Sequence, residues 1–173
     1  LDDQQGIEHM GGANDVVQSL DGRHVYIASS VDNALIVFSR NLKSGELTYK
    51  TTYRDGHDGQ ENLEGLRSLS LRPDGRYLYA AALEGVSVFR RDLMSGELML
   101  LEMEEDGVVD TQSGEKVEDF AGVISMAINP RQDSPVRGEH LYVAAYDDDA
   151  IAIFARGKAS GLLTYQETVA DSN

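Results

Sequence analysis

Short runs of apolar, β-branched and aromatic residues alternate along the chain with clusters of Gly, Asp, Asn and Ser. Runs of about four to eight such residues between turn residues are typical of β-strands, and no segment shows a helical period. The pattern predicts first strands at about 14–18, 66–71 and 123–128, second strands at 24–29, 77–82 and 140–145, third strands at 34–38, 86–89 and 150–154, and fourth strands at 46–53, 97–103 and 162–169. The chain is therefore predicted to be all-β.

The predicted strands form three copies of one four-stranded unit. A Ser-Gly pair precedes every fourth strand, and Phe38, Phe89 and Phe154 hold the same place in the three copies, 51 and 65 residues apart. A period of this size with four antiparallel strands per unit is typical of β-propeller blades. We predict a single propeller segment over 1–173, with consecutive blades at about 12–55, 64–106 and 121–170.

The stretch "PDGRYLYAAALEGVSVFRRDLMSGEL", residues 73–98, resembles the blade repeat of the seven-bladed propellers of the lactonase and YVTN type. The resemblance extends over about 12–169. It implies hydrolysis of a sugar or muconate lactone at the top of a central channel, by scattered His, Arg and Glu residues. Such blades also serve propellers with unrelated roles, so the resemblance specifies the fold more closely than the activity.

Three blades cannot close a ring, and a ring of seven needs roughly twice this length. Both end faces would then expose apolar side chains. We therefore expect further blades of a longer parent chain, or a second copy of this chain, as partners.

Composition narrows the classes of partner. The chain has 173 residues, 30 acidic against 15 basic side chains and no cysteine. The net charge of −15 disfavours nucleic acid, because phosphates would be repelled overall. Without cysteine there is no disulfide, thiolate metal site or Cys nucleophile. No apolar run approaches the roughly 18 residues of a membrane span. A bacterial periplasmic or extracellular location fits the sequence as well as a cytoplasmic one.

Charge separates by loop position. The loops between blades and between second and third strands share one face, here called the top, and they are acidic. The predicted ligand-binding residues of the top are Asp55, Asp58, Glu61, Asp147, Asp148 and Asp149. The opposite, bottom loops hold 11 of the 15 basic residues: Arg23, Arg40, Lys43, Arg72, Arg76, Arg90, Arg91, Arg131, Arg137, Arg156 and Lys158. This pattern predicts a non-catalytic scaffold or binding segment that recognises a protein or small-molecule ligand through its acidic top.

Asp55, Asp58 and Glu61 lie close together on a glycine-rich loop. Carboxylate oxygens are the ligands that Ca²⁺ prefers, so these three residues are the Ca²⁺ candidates, and a Ca²⁺-dependent extracellular or adhesion module is an alternative function. The competing interpretation is that they are solvated loop acids. No EF-hand pattern and no glycine-rich Ca²⁺ nonapeptide is present.

An enzyme, specifically a lactonase-like hydrolase, is the remaining alternative, and its catalytic candidates are Arg67, His57 and His9. His9 and His57 lie in top loops near carboxylates, where either is suited to act as a general base. Arg67 begins a first strand near the predicted channel, where it is placed to hold a lactone oxygen or to pair with loop acids. The chain has no G-x-S-x-G elbow, H-E-x-x-H motif or P-loop.

Overall fold

The computed structural model describes residues 7–60, 62–128 and 140–171. Within these ranges the chain forms three four-stranded antiparallel sheets with strands in chain order, and no helix. Blade 1 comprises β1 (Ala13–Gln18), β2 (His24–Ser29), β3 (Ala34–Arg40) and β4 (Leu47–Arg54). Blade 2 comprises β5 (Ser68–Leu71), β6 (Tyr77–Ala82), β7 (Gly85–Arg91) and β8 (Leu98–Glu105). Blade 3 comprises β9 (Val123–Ile128), β10 (His140–Ala145), β11 (Ala150–Arg156) and β12 (Leu163–Ala170). The predicted all-β architecture of three four-stranded blades is confirmed.

The three blades share one register. In each, the pairing of the third and fourth strands shifts by one residue immediately before Phe38, Phe89 or Phe154. Such a bulge increases the local right-handed twist, which gives the blades of a propeller their shape. β5 begins two residues later than predicted, although the Arg67 amide still donates to the Ala81 carbonyl oxygen at 2.9 Å.

The apolar core lies between blades. We call the face that a blade turns to the following blade its trailing face, and the opposite one its leading face. The trailing face of blade 1 packs on the leading face of blade 2 through Tyr26, Ala28, Leu35 and Val37 against Leu78, Ala80, Phe89 and Leu98. Blades 2 and 3 repeat this through Tyr79, Ala81, Val86 and Val88 against Leu141, Val143, Phe154 and Leu163. Burial of these faces supplies the main driving force for stacking the blades.

The first strands lie side by side along one edge of the stack. β1 neighbours β5 and β5 neighbours β9, and the Leu69 amide donates to Asp15 Oδ2 at 2.7 Å. The three first strands line the inner side of the arc that the blades form, and the first residue of each strand lies at the top.

In the described ranges, no helix has the length and apolar character needed to cross a membrane.

Candidate functional site

The top loops use two carboxylates at one repeat position to bind the backbone. Asp32 Oδ2 accepts a hydrogen bond from the Gly11 amide at 2.6 Å, and Asp148 Oδ2 accepts one from the Ala121 amide at 2.6 Å. Each bond ties the turn between the second and third strands to the loop that enters the same blade. Asp148, a predicted ligand-binding residue, therefore holds the fold as well as facing solvent.

At a second repeat position, directly after the fourth strand, an Asp carboxylate also accepts a hydrogen bond from a backbone amide. Asp55 Oδ1 accepts from the Leu63 amide at 2.8 Å, and Asp106 Oδ1 accepts from the Phe120 amide at 3.1 Å. Asp side chains commonly stabilise turns by such local bonds to the backbone. One oxygen of Asp55 is thus committed to shaping its own loop.

The other predicted top residues differ in their surroundings. Asp58, Asp147 and Asp149 are exposed, and Glu61 lies outside the described residues. Among the side chains that the structure describes, no group of three or more His, Asp or Glu is arranged to hold a metal ion. Asp55 and Asp58 are near neighbours in the chain, so the Ca²⁺ hypothesis depends on Glu61 and stays a prediction.

His57 and Asp58 share a polar cleft of about 400 Å³ beside β4. Its other lining residues are Thr51, Thr52, Tyr53, Arg54 and Gln60. The buried Arg54 Nε and Gln60 Oε1 have no hydrogen-bond partner among the described residues. This cleft lies along the outer strand of blade 1, away from the inner strands.

Arg67 and His9 lie in the loops that enter blade 2 and blade 1. Arg67 is exposed directly before β5, and no ion pair to it occurs among the described residues. His9 lies in the loop that enters β1, with Nε2 3.6 Å from Glu8 Oε2. Of the predicted catalytic residues, Arg67 therefore lies at the start of an inner strand and His57 in the outer cleft. His9 lies in the loop that enters blade 1, where Ile7 and Met10 pack against the leading face of that blade.

Arginines at the bottom connect neighbouring blades. The Tyr26 hydroxyl donates to the Gly96 carbonyl oxygen at 2.7 Å, and Arg91 Nε donates to that hydroxyl at 2.5 Å. Arg91 Nη2 lies 2.7 Å from His24 Nδ1. Burial raises the pKa of Tyr26 to about 12, while burial and the Arg91 charge lower the pKa of His24. We call this set of second-strand Tyr, third-strand Arg and turn carbonyl the interblade latch.

The latch recurs between blades 2 and 3. The Tyr79 hydroxyl donates to the Gly161 carbonyl oxygen at 2.9 Å, and the Arg156 guanidinium lies 5.8 Å from the Tyr79 ring centroid. From the sequence, these arginines were predicted only as part of the basic bottom loops. The sequence signal that could have indicated the latch is the arginine that ends the third strand in every copy: Arg40, Arg91 and Arg156.

Three carboxyl groups lie near one another between blades 2 and 3. Burial raises the pKa of Glu102 to about 7 and, together with Asp110 and Glu102, that of Glu104 to about 8. Burial acts in the same direction on Asp110, but hydrogen bonds from Ser113 and from the backbone outweigh it and lower its pKa. Glu102 Oε1 accepts from the Leu163 amide, whereas its Oε2 is buried without a partner among the described residues. The positions of Glu102 and Glu104 are held by Thr51 and Tyr53 in blade 1 and by Glu167 and Val169 in blade 3, so the repeat does not predict this pair of glutamates.

A larger cleft of about 710 Å³ lies at the bottom of blade 2. It is lined by side chains of both charges, Arg76, Arg90, Asp92 and Glu97, together with Met94. None of the sequence-predicted site residues lies in it.

Stacked four-stranded blades with inner first strands and repeated latches define a β-propeller. The family described as Lactonase, 7-bladed beta-propeller matches residues 2–111, and the chain belongs to this family. A comparison with curated proteins gives no significant match.

Solved structures with the same fold include two proteins linked to lactone chemistry. A Bacteroides fragilis protein assigned as a 6-phosphogluconolactonase is 25% identical with a TM-score of 0.68, over 93% of this chain and 40% of that one. The Pseudomonas aeruginosa periplasmic gluconolactonase PpgL is 23% identical with a TM-score of 0.71, over 94% and 41%. A Lactobacillus plantarum protein is 16% identical with a TM-score of 0.73, over 93% and 42%. The chain thus spans about two fifths of the length of these relatives.

Proposed function

We propose that this chain forms three blades of a lactone-hydrolysing propeller, with the lactone bound at the top of the inner strands. The observation that carries this proposal is the lactonase-family match over residues 2–111, which favours the lactonase hypothesis over the non-catalytic one. Binding at the ends of inner strands follows the general preference for ligand sites at concave surfaces built by several elements.

Arg67 is the side chain on which the proposal depends. A water molecule adds to the lactone carbonyl carbon, and the resulting oxyanion takes the negative charge that a guanidinium stabilises. The ring C–O bond then breaks, its oxygen takes a proton, and the product is a hydroxy acid. His9, in the loop that enters the neighbouring β1, is the candidate base that removes the proton from water.

Substitution Arg67→Gln should lower the kcat/KM of the purified chain for glucono-δ-lactone by about 100-fold, because one charged oxyanion partner is lost. The measurement is acid release at constant pH, corrected for spontaneous hydrolysis. Arg90→Gln is the matched control, since Arg90 is an exposed arginine on the bottom of the same blade. It should leave the rate unchanged.

Two results would overturn this proposal. One is an Arg67→Gln variant that hydrolyses the lactone as fast as the parent chain. The other is a chain that neither hydrolyses the lactone above background nor binds gluconate. Binding would be seen as chemical-shift changes of the backbone amides of residues 62–68 and 9–14 at about 10 mM gluconate, a concentration that detects even weak binding.

Recognition of a cation or a basic partner by the acidic top is the second candidate function. It is favoured by the exposed carboxylates of Asp58, Asp147 and Asp149, which make no hydrogen bond among the described residues. Titration with Ca²⁺ and with a lysine-rich peptide tests it, and peptide binding should weaken as salt increases. The triple variant Asp147→Asn, Asp148→Asn, Asp149→Asn should abolish peptide binding, and Glu97→Gln should not. Absence of heat with both probes contradicts it.

A further inference from the structure

The outer cleft of blade 1 lies between the end of β4 and a tight turn that follows it. The His57 amide donates to the Arg54 carbonyl oxygen at 3.2 Å, and the Gln60 amide donates to the His57 carbonyl oxygen at 2.8 Å. Asp58 and Gly59, the two residues between them, have φ of 52° and 73°, as the central residues of a type I′ turn do. The turn therefore holds the backbone of His57 and Gln60 in place beside the strand.

Arg54 brings a positive charge without a partner to this cleft. Its side chain is half-buried and forms no hydrogen bond or ion pair with any described residue, and its Nε is fully buried. Arg72 and Arg91, two buried arginines, instead donate to backbone carbonyl oxygens. Burying part of a guanidinium without a partner costs free energy. The partner that suits a guanidinium is an anionic oxygen, above all that of a carboxylate or a phosphate.

Gln60 brings an unused acceptor to the same cleft. Its Oε1 is buried and accepts no hydrogen bond in the part of the chain that the structure describes. A buried acceptor is stabilised by an N–H or O–H donor. Arg54 and Gln60 together therefore fit a ligand that carries an anionic oxygen and, next to it, a hydrogen-bond donor.

Charge and size narrow the ligand further. Asp58, whose exposed carboxylate lies at the same cleft, and the net charge of −15 both disfavour a doubly charged phosphate. A volume of about 400 Å³ is near the lower end of the range for ligand pockets. A small, singly charged carboxylic acid fits these conditions.

The cleft does not depend on whether a blade precedes blade 1. Glu105 holds in blade 2 the repeat position that Arg54 holds in blade 1, since they pair with Gly85 and Ala34. Blade 1 packs against blade 2, and Glu105 nevertheless stays partly exposed. The outer top corner of a blade is thus accessible even where a neighbouring blade covers the rest of its face.

We propose that the outer cleft of blade 1 binds a small carboxylic acid with a hydroxyl or ammonium group on the carbon next to the carboxylate. The carboxylate accepts hydrogen bonds from the Arg54 guanidinium, and the hydroxyl or ammonium group donates to Gln60 Oε1. Rotation of the two side chains towards the ligand gives each the partner that it lacks in the free protein. This site is separate from the inner strands and does not rest on lactone hydrolysis.

NMR titration of the chain with lactate, alanine and propionate tests this site. The three acids share a three-carbon skeleton, but propionate has no donor next to its carboxylate. Lactate or alanine should shift the backbone amides of residues 51–60 with a Kd of about 10 mM or lower. Propionate should bind about tenfold more weakly, because it leaves Gln60 Oε1 without a donor. Sodium chloride at equal concentration is the blank, and the tighter of lactate and alanine identifies the donor.

Two variants test the assigned contacts. Arg54→Met should raise the Kd about tenfold or more, because a charge-assisted hydrogen bond is lost. Its Tm should not fall, since Arg54 has no described partner to lose, and this separates a binding role from a structural one. Gln60→Met should bring the affinities for propionate and for the tighter acid close together. Arg23→Met, at an exposed arginine on the bottom of the same blade, is the matched control and should leave the Kd unchanged.

Three results would overturn the proposal. The first is that neither lactate nor alanine shifts the amides of residues 51–60 at about 100 mM, beyond the effect of sodium chloride. The second is that propionate binds the parent chain as tightly as the other two acids. The third is that Arg54→Met binds with the same Kd as the parent chain.

Discussion

Substitution Glu104→Gln should stabilise the protein at pH 8 and have little effect at pH 5. Glu104 is 4% exposed, and no described residue donates a hydrogen bond to its carboxyl group. Burial and the neighbouring Asp110 and Glu102 raise its pKa to about 8, from an ordinary value of 4.5. The folded state therefore holds the proton that the unfolded chain releases, so stability is lost as the pH rises from 4.5 through 8. The expected gain is about 2–4 kcal/mol at pH 8.

Thermal unfolding at pH 5 and pH 8 measures this difference, and the gain at pH 8 corresponds to a rise in Tm of roughly 5–10 °C. The pKa of His24 is lowered, so its protonation destabilises the folded state as the pH falls below 6.5. Variant and parent are therefore compared with each other at each pH. Glu97→Gln, at an exposed position of the same blade, should show no pH-dependent difference. If Glu104→Gln gives equal shifts in Tm at both pH values, Glu104 is not held protonated.

Substitution Arg91→Met should destabilise the chain by about 2–4 kcal/mol, because several buried polar groups would lose a hydrogen-bond partner. Arg91 is 4% exposed and contacts the Tyr26 hydroxyl, His24 Nδ1 and the Gly75 carbonyl oxygen. Its loss leaves these groups buried between blades 1 and 2. Urea unfolding at neutral pH should report the loss as a lower midpoint.

Arg90→Met is the natural control for Arg91→Met, since the two arginines are adjacent and Arg90 is exposed. It should change stability by less than about 0.5 kcal/mol. Arg91→Lys keeps the charge but not the planar fork, so its stability should lie between those of the parent and of Arg91→Met. In Arg91→Met the pKa of His24 should also rise, which NMR can follow. Equal stability of the Arg90 and Arg91 variants would show that the latch contributes little.

The strands were predictable because each signal is local. The alternation of apolar runs with turn residues, including the Ser-Gly pair before every fourth strand, predicted every sheet. The spacing of Phe38, Phe89 and Phe154 predicted the repeat. Boundaries moved by one or two residues, as for β5, since the end of a strand depends on its partner. Membership of the lactonase family followed from the same repeated stretch.

The roles of charged residues were not predictable from local patterns. Asp55 and Asp148 were interpreted as ligand-binding residues. Asp55 is found to accept a hydrogen bond from a backbone amide of its own loop, and Asp148 accepts one from the loop that enters its blade. Arg91 was counted among the basic residues of the bottom loops, although it lies buried across a blade boundary. The contact between Arg91 and Tyr26 joins residues 65 positions apart. No window of sequence contains both partners of such a contact.

The sequence by itself determined the three blades seen in the described residues and their order, because hydrogen-bonded hairpins depend on neighbouring residues. Only the tertiary structure decided which carboxylates hold loops, which arginines join blades and how deeply each blade face is buried. Those properties depend on how one blade is set against the next, and a side chain is buried or exposed only with respect to that neighbour. Tyr26, Tyr79 and Tyr142 have the same place in the repeat, and only the stacking of blades makes the third one different.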